Sequence, residues 1–478
     1  MKTTSLSLPI LLAIGLVAVT ARAVQPVNIG SRLELFVDHL LIEERRNVRL
    51  ELHHPVKAPR PKSPLPVHHM VTVIRDGNLF RAWYRGADKS LSKKKKGAPS
   101  EGAEVVHYAE SDDGHEWRFP VLGLHEVNGS RENNVILARK PRLLHNFMPF
   151  LDTRPGVDPA ERYKALAGHP GPGNKLGLDK PGHGLVAFVS PDGIHWTEKG
   201  EVIPYRPQWH HAFDSPNVSF WSEAEQQYVC YFRTWTADRR RSISRVTSPD
   251  FAHWSEPAAM EPNLPGEHLY TNMTAPYPRA PHIYLAFPTR FVPGRGDAPD
   301  YDPKDRNVTD VLFMTTRAGS TQYDRTFTEA FIRPGLDKTR WTNRANYVAQ
   351  GIHFLTPEEI SIYHRSGDRY VLRTDGFISV HAGAQEGELL TKPLIFRGAQ
   401  LLLNFSTSAA GGVRVEIQDD GGQPIPGFAL ADAETLYGDS IERAFVWKGD
   451  PDLSKIAGRP VRLRFVLQEA DVFSFRFR

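Results

Sequence analysis

The sequence predicts an all-β protein, with a five-bladed β-propeller followed by a small antiparallel β-sandwich. Three observations support this prediction. Runs rich in Val, Ile, Phe, Tyr and Trp recur between clusters of Gly, Pro, Asn and Asp, and helical periodicity is scarce. A turn motif repeats three times along the chain. After residue 387 the pattern changes to strands with clean alternation of apolar residues.

The repeated turn has the form Ser-x-Asp-x-x-x-Trp and is found at Ser111–Trp117, Ser190–Trp196 and Ser248–Trp254. Each copy follows an apolar β run. Ser and Asp side chains can bond to the amides of their own turn, and Gly114 and Gly193 permit a positive φ. We therefore expect the three aspartates to be structural, and the motif marks equivalent positions in successive units.

Five units of up to four strands can be placed around these turns, and four-stranded units repeated around an axis form a β-propeller. The last unit lacks one strand, which we expect Leu35–Val37 to supply, so that the ring closes. The predicted organisation is a signal peptide at residues 1–23, a propeller at 24–384 and a sandwich at 385–478.

The first 23 residues are typical of a secretory signal peptide. Lys2 precedes an apolar run from Leu6 to Val19, and small residues follow at a predicted cleavage site. The run is short for a membrane span and contains Pro9. We therefore expect a cleaved leader, no membrane span, and a secreted or periplasmic protein.

Composition excludes several classes of partner. The chain has 59 Lys and Arg against 55 Asp and Glu, a formal charge of +4, which gives too weak a global field to hold nucleic acid. The one cysteine, Cys230, allows no internal disulfide, and its apolar neighbours predict a buried side chain. Glycine-rich nucleotide loops, His-Glu-x-x-His and cysteine pairs are absent from the sequence, so we expect no cofactor and no catalytic metal.

The three turns, together with Trp83–Gly86, Phe213–Val218 and Pro149–Asp152, resemble the five-bladed propeller glycosidase superfamily of invertases, arabinanases and mannoside phosphorylases. The whole chain after the leader is similar to secreted bacterial proteins, common in planctomycetes, that are usually described as glycosyl hydrolases of this superfamily. The resemblance implies a glycoside hydrolase with its site in the axial funnel. Such enzymes need two carboxyl groups on either side of the scissile bond.

The resemblance also implies roles for individual carboxylates. Asp214 opens the inner strand of the third unit, where the superfamily has an Asp that stabilises the transition state; the alternative is a turn cap. Glu267 precedes the inner strand of the fourth unit, where the catalytic acid commonly lies; the alternative is a solvated loop carboxylate. The Asp-Pro expected in the first blade is absent, and His68 and His69 stand there instead.

The catalytic base must then come from another position. In each candidate a capping, turn or strand-end role is the alternative to catalysis. The candidates are Asp38, Asp152 and the Glu358-Glu359 pair, of which Glu359 opens a predicted inner strand.

Arginines recur at the ends of the second strands of three units, at Arg85, Arg233 and Arg290. A cationic ring at the funnel would suit hydroxyl, carboxylate or sulfate groups of a sugar, although these arginines could equally pair with carboxylates of the blades. Trp83, Tyr270 and His69 are further candidates for contact with sugar. We expect a complex, acidic or sulfated polysaccharide or oligosaccharide as the substrate, with a non-catalytic carbohydrate-binding propeller as the alternative function.

Overall fold

The computed structural model describes residues 25–66, 70–91, 103–140, 143–168, 184–206, 209, 212–295, 306–449 and 452–478. The predicted signal peptide and His69 lie outside the described residues. Strands dominate the described chain, which confirms the predicted all-β class. Its helices are short 3-10 turns at Pro159–Glu161, Lys338–Arg340 and Leu453–Ile456. Across these ranges no helix has the length and apolarity needed to cross a bilayer.

Five short strands open the described chain, and each pairs with a strand from beyond residue 368. They are β1 (Val27–Gly30), β2 (Glu34–Leu35), β3 (Ile42–Arg46), β4 (Arg49–Leu52) and β5 (Val56–Lys57).

The middle of the chain forms successive antiparallel sheets of mostly consecutive strands. Sheet I contains β6 (Val71–Asp76), β7 (Leu79–Ala87), β8 (Glu104–Ser111) and β9 (Val135–Leu137). Sheet II contains β10 (Met148–Leu151), β11 (Tyr163–Ala167), β12 (Leu185–Ser190) and β13 (Thr197–Ile203). Sheet III contains β14 (Val218–Ser222), β15 (Gln227–Trp235), β16 (Arg241–Ser248) and β17 (Ala258–Ala259).

The next sheets are less regular. A side sheet is formed by β18 (His268–Leu269), β21 (Thr289–Val292) and β22 (Val308–Val311). Sheet IV is formed by β19 (Ala275–Tyr277), β20 (Ala280–Ala286) and β23 (Met314–Arg317). Sheet V contains β24 (His353–Phe354), β25 (Glu359–Tyr363), β26 (Arg369–Arg373) and the N-terminal strand β5.

The first strands of these sheets lie side by side in a closed order. β6 contacts β10, β10 contacts β14, and β14 contacts β19. The ring of Tyr277 in β19 lies 6.1 Å, between centroids, from the ring of Phe354 in β24. The order returns to its start where Thr72 of β6 bridges Gln350, just before β24. Residues that precede these strands are therefore brought together although they are far apart in the sequence.

The strand that completes sheet V differs from the predicted one. Val56 and Lys57 pair with Val371 and Tyr370, whereas Leu35 lies in β2 and pairs with β32 (Pro460–Phe477). The prediction for Leu35–Val37 was therefore wrong, although an N-terminal strand does complete the last unit. Val56 is 65% exposed and Lys57 is also exposed, so this edge strand lacks the apolar pattern used to find strands.

The C-terminal region forms one ten-stranded sheet. It combines β1–β4 with β32 and five further strands. Because β1–β4 come from residues 27–52, the predicted boundaries at 24, 384 and 385 cut across this sheet. The five further strands are β27 (Ile378–Ala382), β28 (Gly387–Thr391), β29 (Leu394–Phe396), β30 (Leu401–Asp419) and β31 (Asp439–Ala444).

The repeated turns have the structural role predicted from the sequence. The Ser111 hydroxyl accepts a bond from the amide of Gly114, and Asp113 accepts bonds from the amides of His115 and Glu116. The same pattern recurs at Asp192 and Asp250. Burial raises the pKa of Asp192, but hydrogen bonds from His195 and from backbone amides outweigh it and lower this pKa to about 2.

A buried carboxylate joins sheet IV to the C-terminal sheet. Asp375 has no exposed surface and accepts bonds from the Tyr277 hydroxyl at 2.6 Å and the Ser474 hydroxyl at 2.8 Å. It also accepts bonds from Arg279 Nε at 3.0 Å and from the Asn404 amide at 3.3 Å. A fully buried carboxylate is tolerated because four donors satisfy it.

Replacement of this carboxylate should destabilise the protein. Asp375→Ala leaves the Arg279 guanidinium and the Tyr277 hydroxyl without their acceptor, which costs about 3–5 kcal/mol when a buried pair loses one partner. Thermal unfolding should show a clear fall in Tm. Asp112→Ala is the control, because that carboxylate is 74% exposed and pairs with Arg118 on the surface. A Tm equal to that of the unchanged protein would contradict the structural role of Asp375.

Candidate functional site

A cavity of about 70 Å³ lies where the chain enters the first strands of several sheets. Its lining residues come from segments before β6, β10, β14 and β24, from β7, and from the end of β18. They include cationic, anionic, aromatic and amide side chains. The lining residues are Met70, Arg85, His145, Asn146, Asp214, Tyr270, Arg344 and Tyr347.

The backbone at this end of the sheets is held in an uncommon conformation. Met70, Asn146, Phe213 and Arg344 have φ values of 56°, 53°, 68° and 59°, in the left-handed region that non-glycine residues rarely occupy. Met70, Asn146 and Phe213 lie one to five residues before the first strand of a sheet, and Arg344 lies nine residues before β24. Strain of this kind costs of order 1–3 kcal/mol per residue and is concentrated at functional sites.

Buried asparagine side chains help to fix these segments. Asn146 and Asn217 both donate to the carbonyl of Phe213, at 3.1 and 3.3 Å, and both side chains are fully buried. The carbonyl that precedes Asp214 is therefore bound from two sides. This places the Asp214 carboxylate at the cavity.

The centre of the site is His145, which lies between two carboxylates. Its Nδ1 is 3.0 Å from both oxygens of Glu104, and its Nε2 is 3.3 Å from Asp214 Oδ1. Burial lowers the pKa of His145, but the hydrogen bonds to Asp214 and Glu104 outweigh burial and raise this pKa above its ordinary value. The two carboxylates are thus separated by the width of one imidazole ring.

Each carboxylate also contacts an arginine. Arg233, which is 3% exposed, donates from Nη2 to Asp214 Oδ2 at 2.7 Å, while Asp214 itself is 42% exposed. Arg85 lies 3.3 Å from Glu104 Oε1. An adjacent guanidinium favours the ionised form of a carboxylate.

An aromatic group packs behind the cavity. Arg233 and Arg241 lie over the Tyr270 ring at 5.5 and 5.0 Å, and Arg241 is also 4.8 Å from the Trp235 ring and 4.7 Å from the Phe291 ring. Burial and the charge of Arg233 lower the pKa of Arg241. A planar guanidinium group stacks on aromatic rings and remains positively charged there.

Four of the residues predicted from the sequence come together here. Asp214, Arg85 and Tyr270 line the cavity, and Arg233 binds Asp214 from behind. Three other predicted residues have different partners. Glu267 is 5% exposed and binds Arg325 with both oxygens, Arg290 forms an ion pair with Asp310, and Trp83 is a core residue that donates to the carbonyl of Gly193.

The candidates for the catalytic base also have partners away from the cavity. Asp38 binds Arg317 at 2.7 Å, beside the buried Glu34. Glu359 forms an ion pair with Arg369 of the adjacent strand β26. Asp152 is buried and accepts from the Lys164 ammonium at 2.7 Å and the Tyr228 hydroxyl at 2.6 Å. These are the contacts of structural carboxylates, and none of the three residues is among those that line the cavity.

Sequence reasoning did not select Glu104, His145 or Arg344. A signal for His145 was present, because the position before an inner strand that selected Asp214 is occupied in the second unit by His145-Asn146. Glu104 starts β8, a strand identified only by its apolar residues. His69, which was expected near the axis, lies outside the described residues.

Among the described residues, no group of three or more His, Cys, Asp or Glu side chains is arranged to hold a metal ion.

No protein-family model matches the chain, and no curated protein matches it significantly. Solved structures do resemble it at low identity. A β-1,2-mannobiose phosphorylase from Listeria innocua is 10% identical over 68% of this chain and 97% of its own, with a TM-score of 0.42. A thermostable family-43 glycoside hydrolase is 10% identical over 68% and 96%, with a TM-score of 0.40. A protein of unknown function from Dyadobacter fermentans is 12% identical over 87% and 98%, with a TM-score of 0.36.

The raised pKa of His145 gives a direct test of the site geometry. Asp214→Asn should lower this pKa toward or below the ordinary value of about 6.5, because burial then acts against one fewer carboxylate. In the unchanged protein, protonated His145 stabilises the fold below that ordinary pKa, and the contribution is lost as pH rises through the raised value. Hydrogen exchange at the histidine C2 position, followed by mass spectrometry, measures the pKa of His145 in both proteins.

Glu256→Gln is the control for this titration, because Glu256 is exposed and pairs with Arg206 on the surface. It should leave the pKa of His145 unchanged. Equal His145 pKa values in the unchanged protein and in Asp214→Asn would show that the contact between His145 and Asp214 is absent.

Proposed function

We propose that this chain is a secreted or periplasmic glycoside hydrolase, built as a five-bladed β-propeller with a C-terminal β-sandwich. In this proposal sheets I to V are the blades and the cavity is the catalytic centre. The closed order of the first strands supports the propeller. A register shift between Thr407 and Gly412 supports a bend that folds the long strands β30 and β32 into two layers. The signal-like first 23 residues support export.

One observation carries the enzymatic proposal. Glu104 and Asp214 contact opposite nitrogen atoms of a single imidazole, at the mouth of a ring of sheets. Glycoside hydrolysis requires two carboxyl groups with different protonation, one to donate a proton and one to act as base or nucleophile. The spacing leaves the retaining and inverting courses open.

In this proposal Asp214 is the ionised one of the two carboxylates. Arg233 is almost completely buried and binds Asp214 Oδ2, so the negative charge of Asp214 is stabilised from the interior. Its exposed surface faces the cavity, where a cationic, oxocarbenium-like transition state would form. Asp214 therefore acts as the base, the nucleophile or the stabilising anion.

In this proposal His145 and Glu104 together act as the general acid that donates a proton. The raised pKa of His145 means that the pair retains a proton at a pH where a free histidine would lose it. Strongly interacting groups titrate as a unit, so the proton belongs to the pair. It passes to the glycosidic oxygen as the bond from that oxygen to the anomeric carbon breaks. The hydroxyl of a water molecule finally binds the anomeric carbon, and the proton that this water gives up restores the acid.

A second candidate function is carbohydrate binding without catalysis. Arg85 and Arg233 each lie beside one of the two carboxylates, which favours the ionised form of both. A pocket with two ionised carboxylates binds sugar hydroxyl groups but lacks a protonated acid. The two functions differ in whether sugar is released.

The enzymatic proposal predicts that activity depends on Asp214 and Glu104. The purified protein should be screened against a panel of neutral, uronate-containing and sulfated polysaccharides, with reducing sugar as the readout. Asp214→Asn and Glu104→Gln should each lower kcat/KM at least about a hundredfold, the scale of acid–base assistance. Both replacements keep the size of the side chain and remove its charge.

Glu256→Gln serves as the control and should retain activity, since Glu256 is an exposed residue. Activity that survives both site variants would contradict the assignment, and so would activity that depends on Glu267 instead. Binding without release of sugar by the unchanged protein would favour the carbohydrate-binding function.

A further inference from the structure

The arginines around the cavity outnumber the carboxylates that contact them. Arg85 and Arg344 line the cavity, and Arg233 and Arg241 stack on Tyr270 behind it. Asp214 binds Arg233, and Glu104 lies beside Arg85. Two guanidinium groups are therefore left without an ion pair of their own among the described residues, and they share the charge of Asp214 with Arg233.

Those two guanidinium groups belong to Arg241 and Arg344. Neither forms an ion pair with a carboxylate of the described residues. Arg241 is enclosed by three aromatic rings and is repelled by Arg233. The hydroxyl groups of Tyr270 and Tyr347 lie against Arg344, and the carboxylate of Asp214 favours the charged form of both Arg241 and Arg344. An excess of positive charge at a partly buried site is unfavourable unless an anion joins it.

Arg344 is the member of this pair that can reach a ligand. It lines the cavity, and its backbone is held in the left-handed conformation. The Arg365 side chain donates to the carbonyl of Arg344 and so fixes this segment further. The structure thus maintains a strained backbone at Arg344, which borders the cavity and has no ion pair of its own among the described residues.

The size of the cavity limits what binds beside Arg344. The cavity has room for several water molecules, since one water molecule needs roughly 10–15 Å³ of such space. This space holds a substituent of a few atoms, whereas a whole sugar ring would have to lie toward the opening. A carboxylate or sulfate group matches the volume, the charge and the two-pronged donor geometry of Arg344.

We infer that the site takes a sugar bearing an anionic group, a uronate carboxylate or a sulfate ester, and that Arg344 binds this group in the cavity. The inference rests on the proposed function for the identity of the ligand as a sugar. Arg241 and Arg233 strengthen the binding through their charge, and Arg85 borders the same space. Arg290, which the sequence placed in this ring, is neutralised by Asp310.

Binding measurements on the full chain test this inference without requiring catalysis. Isothermal titration calorimetry at low salt should compare glucuronic acid, glucose 6-sulfate, glucose and sodium sulfate. At least one anionic sugar should bind roughly tenfold or more tightly than glucose, as expected for a hydrogen-bonded charge pair. Added salt should weaken that binding and leave any binding of glucose unchanged. Whichever of the two anionic sugars binds more tightly shows whether the site takes a carboxylate or a sulfate group.

Variants then locate the contact. Arg344→Gln should weaken binding of the anionic sugar about tenfold or more, and Arg344→Lys should restore part of it. Arg118→Gln removes the same unit of charge from an exposed surface pair and should bind like the unchanged protein. Equal binding of glucose and both anionic sugars, binding of none of them, or an unchanged affinity in Arg344→Gln would overturn the inference.

The design separates this inference from the proposed function. If anionic sugars bind through Arg344 but no polysaccharide is cleaved, the hydrolase proposal fails and the anion site stands. If a neutral polysaccharide is cleaved through Asp214 and Glu104 with no preference for charge, the anion site fails and the hydrolase stands. Should Arg344→Gln unfold, Arg344→Lys and the salt dependence of the unchanged protein decide the question. Sulfate alone binding as tightly as the best sugar would show an adventitious ion only and would overturn the inference.

Discussion

The pairing of the first described strands with the last ones is the constraint on which the rest of the structure depends. β5 completes sheet V, and β1–β4 join the C-terminal sheet. Sheets I to III are built from consecutive strands and need no distant partner of this kind. The closed order of first strands, and with it the cavity, brings together sheets I to V.

The charged side chains meet at the cavity because the sheets are assembled in this order. The site is assembled from four separate segments of the chain, which supply Glu104, His145, Asp214 and Arg344. Their contacts are therefore a property of the assembled ring. The carboxylates and guanidinium groups polarise one another in a partly buried space, where electrostatic interactions are stronger than on an open surface. An imidazole whose pKa is raised by two carboxylates is the product of that arrangement.

Much of the fold could be predicted from the sequence because its signals are local. The turn at Ser111–Trp117 and its two copies bond within seven residues, so the motif alone reveals the geometry. Val56 and Lys57 could not be found in this way, since an exposed two-residue edge strand has no apolar alternation. Leu35 was predicted to complete the last unit because it is apolar, but it is buried in the C-terminal sheet.

The candidate site could be predicted only in part. Asp214 was found by its place at the start of a unit. Glu267 and Arg290 have comparable places in their units, yet they pair with Arg325 and Asp310. Sequence position does not determine which oppositely charged side chain lies nearest.

The partnership between β2 and β32 sets an order in which structure can form. Glu34 pairs with Phe475, so the first elements of the chain stay without their partners until its final strand is in place. Sheets I to III can form from neighbouring hairpins, whose short loops close quickly. Sheet V must close a loop of about 315 residues and the pairing of β2 with β32 one of about 440, which are slow steps on the same principle. A polypeptide that stops short of β32 would therefore hold three formed sheets beside several unpaired edges, the kind of species that chaperones bind.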